Sequence, residues 1–260
     1  MDCRSLFLHW GPGSNAQIER LWYGNDLPIE WWDQPTQFTN PETAFSEIVA
    51  AACTRLESLA AQQGKTRLIA HSFGGQIALQ LLIRRPELIK QITLLACGAH
   101  PCRSFLHLAE QLLNTKLGSQ DPERFKALSE SLTLANQQLS SASFWPLVQQ
   151  IAAIPDFMNL YWSDESARLK YVRFATHAQS IDMAAFAAVM QNFLTGDPFP
   201  VGFQSTQTIP VRYIFGDADP LLDFSEETKF WKEQIPWITF ERIAAGHFIQ
   251  FEREPNEWAE

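Results

Sequence analysis

The stretch Ala70-His71-Ser72-Phe73-Gly74-Gly75 is where this sequence first offers chemistry. It follows an apolar run, Arg67-Leu68-Ile69, and precedes Gln76-Ile77-Ala78-Leu79, which reads as the opening of a helix. A nucleophile on a strained strand-to-helix turn needs small residues two before and two after it, and Ala70 and Gly74 stand there. The helix N-terminus also brings backbone N–H groups and a positive dipole end beside Ser72. A serine hydroxyl is a poor nucleophile without a base. The histidines are His9, His71, His100, His107, His177 and His247. Of these, His247 lies in Ala244-Ala245-Gly246-His247-Phe248, a small-residue loop directly after the last apolar run. His71 adjoins Ser72, but successive side chains at such a turn point apart. His107 and His177 fall in a helical stretch and read as surface or pocket residues. A carboxylate must orient the base and stabilise its cation. Gly216-Asp217-Ala218-Asp219-Pro220 supplies two candidates, Asp217 and Asp219, after another apolar run. Asp223, with Glu226 three residues on, reads instead as a helix N-cap.

These three loops need a frame, and the patterning predicts one. Short runs rich in Leu, Ile and Phe alternate with longer helical patterns, the signature of parallel β/α units. Strands are expected at 5–9, 27–32, 67–71, 89–96, 211–215 and 238–244. Asn40-Pro41-Glu42 reads as an N-cap, a first-turn proline and an early acidic residue. The helix behind it buries Phe45, Ile48, Val49, Ala52, Leu56 and Leu59 and ends near Gly64. A helix from about Gly74 stops before Pro86. Loops after the strands of such a sheet gather at its carboxyl edge, where sites form. From 103 to 206 the alternation stops and the sequence is helical in tone. The expected organisation is an α/β core, 1–102 and 207–260, interrupted by a helical insertion over 103–206.

Composition narrows the class of function. The chain has 260 residues, 46% of them hydrophobic, enough for a sizeable core and too many for a disordered protein. Twenty basic residues stand against 29 acidic ones, a net charge of -9, which is the wrong sign for a nucleic-acid binder. No apolar run reaches a membrane span, and the N-terminal apolar stretch is too short for a signal-peptide core. Cys3, Cys53, Cys97 and Cys102 form no Cys-x-x-Cys pair and read as buried free thiols, which points to a cytoplasmic protein. No metal-ligand spacing of His and Cys is present, nor a phosphate loop, nor Gly-x-Gly-x-x-Gly.

The order Ser, Asp, His, with the turn around Ser72, Gly216-Asp217-Ala218-Asp219 and Gly246-His247-Phe248, resembles the α/β-hydrolase superfamily across nearly the whole chain. The resemblance implies a mostly parallel sheet of about six strands without the usual N-terminal hairpin, because the His-Gly loop of the family would begin here at His9. In the family the acid is the last residue of a Gly-x-x-Asp turn, which carries over to Asp219. The stretch 103–206 corresponds to the helical cap, inserted after the strand that follows the elbow helix. One oxyanion donor is the backbone N–H after the nucleophile, here Phe73. The other comes from the early loop, His9-Trp10-Gly11-Pro12-Gly13, where tryptophan replaces the usual glycine; alignment favours Gly11, with Trp10 as the alternative. No cofactor is implied, and Asp33-Gln34-Pro35, a worn form of a family loop, is assigned no chemistry.

The function implied is that of a serine hydrolase of a carboxylic ester or thioester, acting through Ser72, Asp219 and His247 on a small-molecule substrate. The insertion contains many aromatic residues, among them Phe105, Phe144, Phe157, Tyr161, Phe186 and Phe193. They are read mainly as core, with an apolar acyl pocket as a weaker expectation. Compact size and the cap also resemble pimeloyl-carrier-protein methyl ester esterases, which would make an acyl carrier protein a partner. The basic cluster such a carrier needs would be Arg168, Lys170 and Arg173. Asp164 and Glu165 stand four and three residues before Arg168, so intrahelical pairing absorbs much of that charge. Proline iminopeptidase, suggested by Gly11-Pro12-Gly13, and carbon–carbon lyases of the same fold are alternatives. A non-catalytic ligand-binding protein of this fold is the alternative from another class.

Overall fold

The computed structural model describes residues 4–115, 120–196 and 209–259. Six strands form one sheet: β1 (Ser5–Leu8), β2 (Ile29–Trp32), β3 (Thr66–His71), β4 (Ile89–Leu95), β5 (Val211–Gly216) and β6 (Thr239–Ile243). Their order is β2-β1-β3-β4-β5-β6, with every neighbouring pair parallel. β1 is buried along its whole length, and β3, β4 and β5 are buried over their last four residues, which is why the interior strands read as apolar runs rather than alternating ones. The β2 run begins at Ile29 rather than residue 27, since Pro28 has no N–H for the ladder and offers only its carbonyl, to Ser5 N at 2.9 Å.

Helices α1 (Gln17–Tyr23), α2 (Ala44–Gln63) and α3 (Gly74–Arg84) make the first crossovers. The stripe expected for α2 is buried at all six positions. Asn40 caps a short 3₁₀ turn, Pro41–Thr43, that leads into α2, accepting from Glu42 N at 3.0 Å. Among the described residues, five α-helices lie between β4 and β5: α4 (Pro101–Leu113), α5 (Pro122–Gln137), α6 (Ser141–Ala152), α7 (Glu165–Ala175) and α8 (Met183–Thr195). After β5 come α9 (Phe224–Gln234), α10 (Ile249–Glu252) and α11 (Pro255–Trp258). Asn192 on α8 ties this group to the sheet side, accepting from Phe45 N at 2.9 Å and donating to Pro41 O at 3.0 Å. No described helix is long and apolar enough to cross a membrane. Cys97 and Cys102 are buried free thiols, and Cys53 is half-buried and free. Cys3, Phe199, Phe203 and the end of the 103–206 stretch lie outside the described residues.

Buried ionisable groups give the fold a pH dependence with a definite sign. Burial pushes Glu227 up to about 8 and Glu19 up to about 7, from an ordinary 4.5. The folded chain therefore holds protons that the unfolded chain has released, and stability present below pH 4.5 is lost as pH rises toward 8. His9, lowered by burial from 6.5 to about 4, and His71, also driven down by burial, act oppositely. Their contribution is complete above pH 6.5 and is lost as pH falls. Between pH 6.5 and 8 the carboxyls act alone. Glu227 Oε2 accepts from Ala99 N at 2.7 Å and Trp231 Nε1 at 3.2 Å, bonds that a glutamine oxygen can take over. Urea denaturation should show the wild type losing stability between pH 6.5 and 8 and Glu227→Gln losing less. Parallel profiles for the two proteins would contradict the assignment.

Candidate active site

Strand β3 runs directly into α3 through Ser72, whose φ of 53° places a non-glycine residue in the left-handed region. That strained turn lifts the hydroxyl off the sheet's carboxyl edge. The space for it is made by Gly74, where a Cβ would overlap the carbonyl oxygen of Leu8 at the end of β1. The small residue expected after Ser72 is thus required by the neighbouring strand. Loops after β5 and β6 deliver Asp219 and His247 to the same edge. His247 Nδ1 donates to Asp219 Oδ2 at 2.8 Å, and Ser72 Oγ lies 2.9 Å from His247 Nε2. The His247 and Asp219 side chains are 3% and 0% exposed. The second oxygen of Asp219 accepts from Leu221 N at 2.9 Å, so both carboxylate atoms are held. Asp217, the competing carboxylate, faces outward and pairs with Arg242 Nε at 2.7 Å. A buried chain of this kind lets a serine hydroxyl pass its proton to an imidazole whose tautomer the carboxylate fixes.

Behind the chain lies a second layer that the sequence did not disclose. The His71 ring is buried and its two nitrogens bond to the histidine loop and to Gln250 rather than to Ser72. Its Nε2 donates to His247 O at 2.9 Å, and its Nδ1 accepts from Gln250 Nε2 at 3.0 Å. Burial and the nearby His247 keep His71 neutral. Gln250 lies 3.5 Å from Glu19 Oε1, and its own carbonyl accepts from Tyr23 OH. On the opposite side, the loop before α7 is joined to the same turn. His247 N donates to Tyr161 O at 2.7 Å, and a Cβ on Gly246 would overlap that carbonyl. Glu252 spans the junction, accepting from Gly246 N at 3.1 Å, Ser163 N at 3.1 Å, Asp164 N at 3.0 Å and the Ser163 hydroxyl. A glutamine has one oxygen where these donors need two. Glu252→Gln should therefore lower kcat by about 10- to 100-fold while the protein stays folded, the cost of a histidine loop displaced by a fraction of an ångström. Activity within twofold of wild type would remove Glu252 from this role.

The early loop is built around His9, which is fully buried. Its Nδ1 donates to Trp10 O at 2.7 Å and its Nε2 accepts from Gln34 N at 3.2 Å, while the Gln34 side chain donates to His9 O at 3.0 Å. Gln34, in a segment assigned no chemistry, thus fixes the loop. Gly11 and Gly13 adopt φ of 55° and 77°, whereas Trp10 does not have positive φ. The left-handed conformations fall on the glycines, which is why a tryptophan is tolerated between them and His9. Trp10, Gly11, Ser72, Phe73 and His247 all border a cavity of about 280 Å³.

Phe105 on α4, Phe186 on α8, and Phe157 and Tyr161 from the segment between α6 and α7 line that cavity. Phe144 and Phe193 are core, and Trp162 and Tyr171 pack on Phe248 at 4.8 and 5.3 Å. The basic cluster is largely engaged. Arg168 donates to Glu165 at 2.7 Å and to Asn159 at 2.9 Å, and Lys170 Nζ sits 3.8 Å over the Trp22 ring. The Asp164 side chain does not hold the Arg168 guanidinium; it caps α7, accepting from Ser166 N and Ala167 N. Among the described residues no group of three His, Cys, Asp or Glu side chains is placed to hold a metal ion.

Comparison with known proteins gives the same frame. The family model for the alpha/beta hydrolase fold matches residues 32–254. No curated protein matches the chain. Among solved structures, a proline iminopeptidase-related protein from Thermus thermophilus is similar with a TM-score of 0.62 and 20% identity, covering 96% of this chain and 84% of that one. MenH from S. aureus gives 0.57 and 17%, covering 98% and 90%. A Bacillus megaterium epoxide hydrolase gives 0.59 and 17%, covering 99% and 90%. At these identities the likeness speaks for the fold alone. The family match runs from β2 to the brink of α11 and takes in all three residues of the buried Ser-His-Asp chain, and the protein belongs to the alpha/beta hydrolase fold family.

Proposed function

We propose that the protein is a serine hydrolase that cleaves carboxylic esters or thioesters through an acyl-enzyme on Ser72. The unbroken hydrogen-bonded chain from Ser72 through His247 to Asp219 carries this reading. Ser72 Oγ attacks the acyl carbon while its proton passes to His247 Nε2. The leaving alcohol or thiol takes that proton as the carbon–oxygen or carbon–sulfur bond breaks. Water, deprotonated by His247 in turn, then releases the acid and restores the serine. Asp219 keeps Nδ1–H directed at itself and stabilises the imidazolium.

The oxyanion that forms at the acyl carbon is assigned to the backbone N–H groups of Phe73 and Gly11. The carbonyl of Trp10 is drawn to the His9 ring, and in a trans peptide the Gly11 N–H of the same unit points the opposite way. This favours Gly11 over Trp10 as the second donor. Each such donor is worth about 3 to 4 kcal/mol of barrier. The helical stretch 103–206 acts in this reading as a cap over Ser72, and no cofactor takes part. A small free ester is favoured over a carrier-borne one, because Arg168 and Lys170 are already engaged within the protein. A protein that only binds ligands has no use for a buried base and its carboxylate. The test is release of nitrophenol from a short-chain p-nitrophenyl ester: turnover is expected, and a folded protein that releases none would overturn the reading.

A further inference from the structure

The cavity over Ser72 holds a second piece of information, in what it lacks. Its described lining is apolar on nearly every side, with Trp10, Phe73, Phe105, Phe186, Met190 and Leu221 representative. Among the described residues that border it there is no Asp, Glu, Lys or Arg. Its polar side chains are Ser72, Ser104, Tyr161 and His247. The Tyr161 phenol stays protonated, since burial and the Asp219 charge push its ionisation far up. A charged substrate group entering this space would leave water and meet no countercharge among the described lining residues, which is the costly case for a buried ion.

We propose that this pocket accepts an uncharged acyl group and rejects acyl groups that carry an ammonium or a carboxylate. The proposal rests on the serine hydrolase reading and narrows it. It sets the protein apart from a peptidase that must hold a substrate's N-terminal amine, although a solved protein of similar fold is described as related to proline iminopeptidase. Esters of dicarboxylic acids with one free carboxylate are excluded on the same ground.

Two pairs of ethyl esters isolate the charge. Ethyl cyclopentanecarboxylate and L-proline ethyl ester differ by a ring CH₂ in place of a protonated NH₂. Ethyl hexanoate and monoethyl adipate differ by a terminal methyl in place of a carboxylate. Each ester is titrated into Ser72→Ala protein at pH 7 by ligand-observed NMR, and each is offered to the wild type for turnover. The neutral member of each pair should bind Ser72→Ala about tenfold or more tightly than its charged partner, and its kcat/KM should be about 100-fold or more higher. A charged ester that binds as well as its neutral counterpart overturns the proposal, as does failure of all four to bind. A neutral preference in binding without turnover by the wild type would uphold the pocket and overturn the role of Ser72, so the two readings fail separately.

Discussion

Ser72→Ala should lower kcat by about 10⁴ or more, with the fold and thermal stability retained. In the proposed reaction this hydroxyl is the atom that bonds to the acyl carbon, and it is the one that lies 2.9 Å from His247 Nε2. His71 is the nearest sequence neighbour with a nucleophilic atom, yet both of its ring nitrogens are committed, to His247 O and Gln250. What remains after the substitution is a pocket and its backbone donors, which bind and polarise the acyl group but offer it no nucleophile. Removing one hydroxyl leaves α3 and its glycine contact with Leu8 untouched, so circular dichroism should not change. A variant that keeps a tenth of wild-type kcat would mean that Ser72 is not the attacking group.

The carboxylates provide the second large effect, and a comparison that controls for charge. Asp219→Asn should reduce kcat by about 10³- to 10⁴-fold, because an amide has one oxygen for the two donors Leu221 N and His247 Nδ1–H, and an NH2 facing Nδ1 favours the wrong tautomer. Asp217→Asn removes the same charge two residues away. Its partner is the exposed guanidinium of Arg242, and an exposed pair of this type contributes about 0 to 1 kcal/mol. Activity there should stay within a few-fold of wild type. Steady-state kinetics on one ester decides between them, and the reverse order would move the acid to Asp217.

The choice between those two aspartates shows how far the sequence could be read. Spacing after the β5 run left both open, and only family resemblance favoured Asp219; the 2.8 Å contact with His247 is a fact of the folded chain. Ser72 and His247 were legible because local rules constrain them, a small-residue turn before a helix and a small-residue loop after a strand. The sheet was legible for a similar reason, since strands buried on both faces must be continuous apolar runs. The supporting residues obey no such local rule. Glu19 on α1, His71 on β3 and Gln250 on α10 form a chain that ends on His247 O, and Glu252, also on α10, holds the loop just before His247; each looks alone like an ordinary helix or strand residue. Gln34 gave no sign either, because its partner His9 lies in another β/α unit. The tryptophan at position 10 stands where the resembled family has a glycine, and the backbone accommodates it because the positive φ falls on Gly11.

Reaction with a fluorophosphonate tests the central claim most directly, because the reagent labels a serine only where a base and an oxyanion site act on it together. Intact mass and peptide mapping should find one phosphonyl group per chain, on Ser72. The labelling rate should collapse in His247→Ala although Ser72 is still present. A folded wild-type protein that stays unlabelled, or that carries the label on another residue, would contradict the account.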